Sequence, residues 1–294
     1  MAVHIAVTPH SKTVLEVITA TTDYFRKSGI ESPRLNIEHL LAHVLGKRRM
    51  DLYIEFDRSL SESELDPLRD LVRRRAQGEP LQHLLGTVEF LGLTLKCDPR
   101  ALIPRPETEQ LCEMLVAEAK RDGCIWKAHT LADVGTGSGC IALALAASLP
   151  GLRVIGLDRS GHALALAMEN ATHTALAGRV TFLKSDLLSA LTEPVALIVA
   201  NLPYIPTHEV ATLQGEVLRD PIAALDGGAD GLAIIRRLLA EAPSRLIPRG
   251  RLALEIGCDQ GAALLAALAT TPFADAQILK DYQGRDRYLF ATHG

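Results

Sequence analysis

The amino-acid sequence predicts an α/β fold, a doubly wound and largely parallel sheet, with a small all-helical region ahead of it. Three observations predict it. From Thr108 onward, near-continuous apolar segments of β-type composition alternate with helical ones. A glycine-rich loop, Asp133-Val134-Gly135-Thr136-Gly137-Ser138-Gly139, sits between the first of those segments and a helical one. Residues 1–87, by contrast, carry helical periodicity alone. Strands that are apolar on both faces belong in a sheet covered by helices on both sides.

The helical region comes first. Ile37, Leu40, Leu41, Val44 and Leu45 share one helical face, and Gly46 follows as a stop. Ser61 and Glu64 have capping-box spacing ahead of Leu65, Leu68 and Val72, and Gly78 with Pro80 ends that helix. Residues 88–106 then change character. Glu89 to Leu95 has strand composition, followed by the turn-prone Asp98-Pro99 and the rigid Ile103-Pro104-Arg105-Pro106. A hairpin linking two domains is the expectation, which divides the chain into 1–87, 88–106 and 107–294. In the last part the expected strands are 130–134, 153–158, 180–186, 196–201 and 251–257, with weaker candidates at 277–280 and 287–291.

Bulk properties narrow the class. The 294 residues carry 48% hydrophobic and 22% charged side chains, ordinary for a globular chain with a buried core. With 31 basic against 35 acidic residues the net charge is -4. A dedicated phosphate-backbone binder carries a basic surplus, so no stable nucleic-acid partner is expected. Cys97, Cys112, Cys124, Cys140 and Cys258 are scattered, odd in number and free of C-x-x-C spacing, which reads as reduced thiols in the cytoplasm. The start, MAVHIAVTPHSK, lacks the pattern of a secretory leader. No membrane span is expected either, since apolar runs such as Ile141 to Ala147 are far below the roughly 20 residues a span needs.

The glycine loop is the first motif that carries chemistry. Glycines let the backbone turn sharply and approach a ligand, and the helix behind them (140–149) supplies unpaired N–H groups for carboxylate or phosphate oxygens. Gly137-Ser138-Gly139-Cys140-Ile141-Ala142 also fits the dinucleotide pattern, and Asp158 at the next strand end suits a ribose of either cofactor. Asp133 favours S-adenosylmethionine as the methyl donor, because its ammonium group wants an acceptor where a pyrophosphate would be repelled.

Asn201-Leu202-Pro203-Tyr204 is the second. Asn201 closes the fourth expected strand, at the sheet edge where open α/β folds bind ligands. A planar amide or aromatic nitrogen is a poor nucleophile because its lone pair is delocalised. Two acceptors on its N–H groups, the Asn side-chain carbonyl and a nearby backbone carbonyl, favour a pyramidal nitrogen aimed at the sulfonium methyl. Pro203 removes a competing donor, and Tyr204 offers a flat face for the target group. Positioning then carries most of the catalytic load.

Other features are discounted. Glu107 and Glu109 suit the N-terminus of a helix as well as a substrate. His39 and His43 share a face but lack a third ligand, so no metal is expected. Arg69, Arg73, Arg74 and Arg75 read as a solvated basic face.

With these residues in view, the chain resembles the release-factor glutamine methyltransferases of the class I adenosylmethionine superfamily over essentially its full length. The resemblance rests on Gly78-Glu79-Pro80-Leu81-Gln82-His83-Leu84, Leu102 to Glu109, the glycine loop, Asp158, Ser185-Asp186, the Asn-x-Pro-Tyr site and Asp220-Pro221-Ile222-Ala223-Ala224-Leu225-Asp226-Gly227-Gly228. It implies a seven-stranded class I sheet behind a helical substrate-recognition domain. It also implies methylation of the Gln in the Gly-Gly-Gln loop of class 1 peptide chain release factors, at the side-chain nitrogen N5. Gly135, Thr136, Gly137, Ser138 and Gly139 would cradle the methionyl end, Asp158 the ribose, and Asp186 with Leu187 the adenine. Asn201, Leu202, Pro203 and Tyr204 would form the substrate grip, with Asn201 also beside the cofactor. Leu202 stands where the family usually has a first proline, and Leu187 where it often has an aromatic residue. Three rivals are adenine-N6 methylation of DNA or RNA, a dinucleotide-dependent oxidoreductase, and a silent adaptor on the same fold.

Overall fold

The computed structural model describes residues 12–121, 124, 126 and 129–294; the start of the chain, read for a secretory leader, lies largely outside them. The described residues through Leu85 are largely helical and form their own unit. Helix α1 (Val14–Lys27) opens on a complete capping box: Thr13 Oγ1 accepts from the Glu16 amide, and the Glu16 carboxylate accepts from the Thr13 amide at 2.8 Å. Helix α2 (Pro33–Leu45) ends at Gly46, whose φ of +62° is the left-handed stop expected there. Ile37, Leu40 and Leu41 are buried, with Val44 and Leu45 at the margin of the same core.

Helix α3 (Glu62–Ala76) forms only half of its expected capping box. The Glu64 carboxylate accepts from the Ser61 amide at 2.9 Å, but the Ser61 hydroxyl donates to that carboxylate instead of capping the helix. The arginine cluster is a face of paired charges with one inward member. Arg69 meets Glu62 and Asp66, Arg73 meets Asp70, and Arg74 meets Glu79. Arg75 is buried and donates to Asn36 Oδ1 at 2.7 Å, tying α3 to α2. A short α4 (Leu81–Leu85) closes this unit.

From Gly86 onward a second unit begins with an antiparallel hairpin, β1 (Thr87–Phe90) and β2 (Leu93–Lys96). Expected as a link between domains, the hairpin instead packs as part of this unit. Phe90 and Leu95 are buried in one core with Leu111 and Leu115 of α5 (Pro106–Ala119). There follow β3 (Thr130–Val134), α6 (Cys140–Ser148), β4 (Arg153–Asp158), α7 (Gly161–His173), β5 (Val180–Lys184), β6 (Val195–Asn201), the short α8 (Thr207–Val210), α9 (Ala233–Glu241), β7 (Leu246–Glu255), α10 (Gly261–Leu268), β8 (Phe273–Lys280) and β9 (Asp286–His293). Asn170 of α7 accepts from the Lys96 amide at 2.7 Å and donates to the carbonyls of Lys96 and Ser138, clipping the hairpin to the glycine loop.

The seven-stranded sheet has the order β5-β4-β3-β6-β7-β9-β8, parallel except for β9, which runs antiparallel to both neighbours. From β3 the chain winds outward through β4 to β5, then returns to place β6 against the other edge of β3. This reversal leaves a crevice at the carboxyl ends of β3 and β6. Residues Ala196 to Ala200 of β6 are fully buried, and alternate side chains enter two different cores. Leu197 and Val199 join the one that holds the hairpin, Ile198 and Ala200 the one that holds α9 and α10.

Candidate active site

A cavity of about 1130 Å³, counted out to its mouth, opens at that crevice. Its walls come from the glycine loop with the ends of β4 and β5 and the start of α7, the Asn201-Leu202-Pro203 turn after β6, the rigid segment ahead of α5, the Pro221 to Ala224 stretch, and Ile234 with Arg237 of α9.

Gly135, Gly137 and Gly139 all have positive φ, and the loop they form lies against the cavity. At Gly135 (φ +73°) a Cβ would come within 2.9 Å of Leu202 Cδ2, so glycine there lets the loop and the Asn201 turn close on one another. Leu202 is accordingly buried. Asp158 links the loop to the start of α7, its carboxylate accepting from the Gly137 amide at 2.9 Å and the Ser160 amide at 2.8 Å. It also lines the cavity and retains lone pairs for further donors.

Asp133 lies beneath the loop, fully buried and off the cavity wall. One carboxylate oxygen accepts from the Thr136 hydroxyl at 2.6 Å and the Ala142 amide at 3.1 Å, so Asp133 is a post that holds the loop to α6. Its other oxygen, Oδ1, is buried with no partner among the described residues. Burial pushes this carboxyl up to about 7, against the pull of Thr136 and Ala142. A carboxyl raised on folding holds its proton more tightly in the folded chain, so the stability it contributes is lost as pH rises through about 7. Asp133→Asn is therefore expected to flatten the fall in stability between about pH 4 and 7 by on the order of 1 kcal/mol per pH unit. Urea unfolding of both proteins across that range measures it; coincident slopes would contradict the assignment.

On the far wall, Ser185 donates its hydroxyl to the Leu187 carbonyl at 2.7 Å and holds Leu187 at φ +47°. Leu187 is buried and borders the cavity. Asp186 borders it too and pairs with Arg237 at 2.7 Å, a mostly exposed ion pair of little energetic weight.

The Asn201 turn is where the hydrogen bonding is most directional. Asn201 and Glu255 are register partners at the carboxyl ends of the parallel β6 and β7. Thr108, in the first turn of α5, joins them. Asn201 Nδ2 donates to Thr108 Oγ1 at 2.9 Å, and that hydroxyl donates to Glu255 Oε2 at 2.6 Å. No donor among the described residues reaches Asn201 Oδ1. The Tyr204 hydroxyl donates to the other Glu255 oxygen at 3.3 Å. Burial pushes Glu255 up to about 7, opposed by Thr108, Arg287 and Tyr204. Burial, then Glu255, also raises the Tyr204 phenol.

The stretch from Asp220 to Gly228 backs this turn. Ile205 bridges to Asp226, its amide donating to the Leu225 carbonyl at 3.1 Å. Gly227 packs so closely that a Cβ would lie 2.7 Å from the Pro203 carbonyl. The Tyr204 carbonyl accepts from Gln260 Nε2 at 2.8 Å. Asp220, fully buried, accepts from the Ile103 amide and from Arg105 at 2.6 Å, so it anchors the rigid segment to the same wall.

Among the residues singled out from sequence, Gly135, Thr136, Gly137, Ser138, Asp158, Asp186, Leu187, Asn201, Leu202 and Pro203 line one cavity. Gly139 serves as the N-cap of α6. Tyr204 sits behind the wall as a brace on Glu255 rather than as an open face. Glu107 and Glu109 stay off the cavity wall; Glu109 accepts from the Leu91 amide of the hairpin turn at 2.6 Å. Thr108, between them, is the residue that reaches Asn201. It and Glu255 were missed, although an acid closing the apolar run Leu252-Ala253-Leu254 is a visible signal.

Comparison with known proteins agrees with this architecture. Residues 16–86 match the family model described as PrmC N-terminal domain, and residues 108–264 the Methyltransferase small domain. A release factor glutamine methyltransferase of Geobacter sulfurreducens is 42% identical over 96% of this chain and 97% of its own. One from Chlorobaculum tepidum is 41% identical over 94% and 96%. Among solved structures, the hMettl16 catalytic domain shares the fold at a TM-score of 0.57 and 18% identity, over 78% of this chain and 82% of that one. With identity at this level sustained across both units, the chain belongs to the release factor glutamine methyltransferase family.

Proposed function

We propose that this protein transfers the methyl group of S-adenosylmethionine to the side-chain amide nitrogen, N5, of the Gln in the Gly-Gly-Gln loop of class 1 peptide chain release factors. The observation that carries this reading is the polarity of Asn201. Its NH2 end is occupied by Thr108, which leaves Oδ1 as the end available to a substrate amide. Accepting from one N–H of the Gln, with a backbone carbonyl of the Leu202-Pro203 turn accepting from the other, Asn201 holds the nitrogen lone pair in line for attack. Pro203 adds no competing donor.

The cavity suits the methyl donor. The positive-φ backbone at 135–139 fits a small zwitterionic end, with the N-terminus of α6 toward its carboxylate. Asp158 would take the ribose hydroxyls, and Asp186 with Leu187 would border the adenine. When bound, the donor supplies a methyl already activated on a positive sulfur, so no acid or metal is needed for it to leave. The helical unit would recognise the release factor. The scattered cysteines, free of C-x-x-C spacing, suit the cytoplasm as the place of action, and no helix among the described residues is long and apolar enough to cross a membrane.

The test is incubation with labelled S-adenosylmethionine, a release factor, and the same factor with its loop Gln replaced. Label is expected in the first protein only. Label in both, or in DNA or RNA instead, would contradict the reading and favour another target such as adenine N6. Asp158→Ala is expected to weaken binding of the donor by about tenfold or more, since hydrogen bonds to a charged group contribute roughly 1.5–3 kcal/mol. Calorimetry measures it, and unchanged affinity would remove Asp158 from the ribose site.

A further inference from the structure

We propose that Glu255, acting through the Thr108 hydroxyl, is a positioning residue that decides which end of the Asn201 amide faces the substrate. This deepens the reading above and rests on it.

The argument is one of hydrogen-bond direction. An ionised carboxylate can only accept, and a hydroxyl has one proton to give. Thr108 spends that proton on Glu255 Oε2 at 2.6 Å, so towards Asn201 it offers a lone pair. The amide must answer with its NH2 group, as it does at 2.9 Å, and the carbonyl is left for the opposite side. Register brings this about. Because Asn201 and Glu255 are neighbours on parallel strands, one hydroxyl from the first turn of α5 spans both.

Protonation of Glu255 removes the constraint. A carboxylic acid can donate to Thr108, whose proton is then free to turn towards Asn201. The amide can rotate to accept it and so present NH2 where the substrate also brings N–H. Two donors then face each other and the grip is lost. The groups around Glu255 set when this happens. Thr108 and Glu107 face it from α5, Tyr204 from the turn after β6, and Arg287 and Tyr288 from β9. Burial and Glu107 favour the acid, while Thr108, Arg287 and Tyr204 favour the carboxylate, leaving Glu255 at about 7. Methyl transfer at saturating donor and release factor is therefore expected to fall on the acid side of neutrality.

Four variants test this: Glu255→Gln, Thr108→Val, the double variant and Thr108→Ser. Glu255→Gln and Thr108→Val are each expected to lower kcat by about 10- to 100-fold while donor affinity stays within about twofold, as for an interaction worth one or two factors of ten in the transition state. The double variant is expected to be no slower than the worse single one, because both act on one chain of hydrogen bonds. Thr108→Ser keeps the hydroxyl and is expected to restore parental kcat. The acid limb of the pH–kcat profile is expected to vanish in Glu255→Gln. Parental kcat in Thr108→Val, multiplying effects in the double variant, or an acid limb that persists in Glu255→Gln would each overturn the proposal.

A readout without substrate separates this claim from the functional one. In 15N NMR of the folded protein, the Asn201 side-chain amide protons are expected to keep their exchange protection in Thr108→Ser and lose it in Thr108→Val. Retained protection in Thr108→Val overturns the positioning role. Absence of label in any release factor overturns the function and leaves this result standing.

Discussion

Asn201→Ala is expected to reduce methyl transfer to a release factor by a factor of at least about 100–1,000, the size of effect seen when one preorganised hydrogen-bonding group is removed from a transition state. Donor affinity, measured by calorimetry, is expected to survive. The division follows from the structure. The glycine loop, Asp158 and Leu187 form a wall of their own, and none of their hydrogen bonds among the described residues involves Asn201. The cost to the fold is small, because the variant loses one hydrogen bond to Thr108, worth on the order of 1 kcal/mol. Loss of donor binding together with transfer would show that Asn201 serves the cofactor rather than the substrate.

A comparable loss is expected from a residue with no polar side chain. Gly231 has φ +73°, and a Cβ there would overlap the Tyr204 carbonyl oxygen and lie 2.7 Å from Gln260 Nε2. Those two atoms are hydrogen-bonded to each other and hold the turn that carries Asn201 and Pro203. Gly231→Ala must therefore displace that turn. A shift of about 1 Å away from the reacting geometry can cost on the order of 100-fold in rate. The strained backbone adds about 1–3 kcal/mol of lost stability. Unfolding in urea and kcat at saturating substrates measure the two effects. A stable variant with parental kcat would mean that the turn tolerates movement, contrary to a mechanism built on position.

Most of the scaffold was legible because local chemistry and global fold agree there. The strands at 130–134 and 153–158 begin and end where their apolar runs do. Others begin earlier than expected. β7 starts at Leu246, five residues ahead of the expected 251, because the chain crosses Pro248-Arg249-Gly250 by a register shift with Arg249 at φ +61°. Those residues form a bulge within the strand. β8 starts at Phe273 for the same kind of reason: a shift between Ala274 and Gln277 interrupts an edge strand that is partly exposed.

At the site, residues consecutive in the chain were readable and residues joined only by tertiary structure were not. The glycine loop, Asp158 and the Asn201 turn each carry their own local signature. Thr108 and Glu255 lie 147 positions apart, and neither has meaning until β6, β7 and α5 converge. Asp133 was legible as an acid beside the loop, but its depth was not, since burial depends on the whole layer above β3. Tyr204 was read as a surface for substrate; the buried Glu255 carboxylate that its hydroxyl reaches makes it a brace instead.

The central claim is that the carbonyl end of Asn201 receives a substrate N–H. Its most direct measurement is a structure of the complex with S-adenosylhomocysteine and a Gly-Gly-Gln peptide. The account predicts the Gln side-chain nitrogen about 2.7–3.2 Å from Asn201 Oδ1, with Nδ2 still on Thr108. A Gln amide held by other groups, with Asn201 turned away or its Nδ2 toward the peptide, would contradict it.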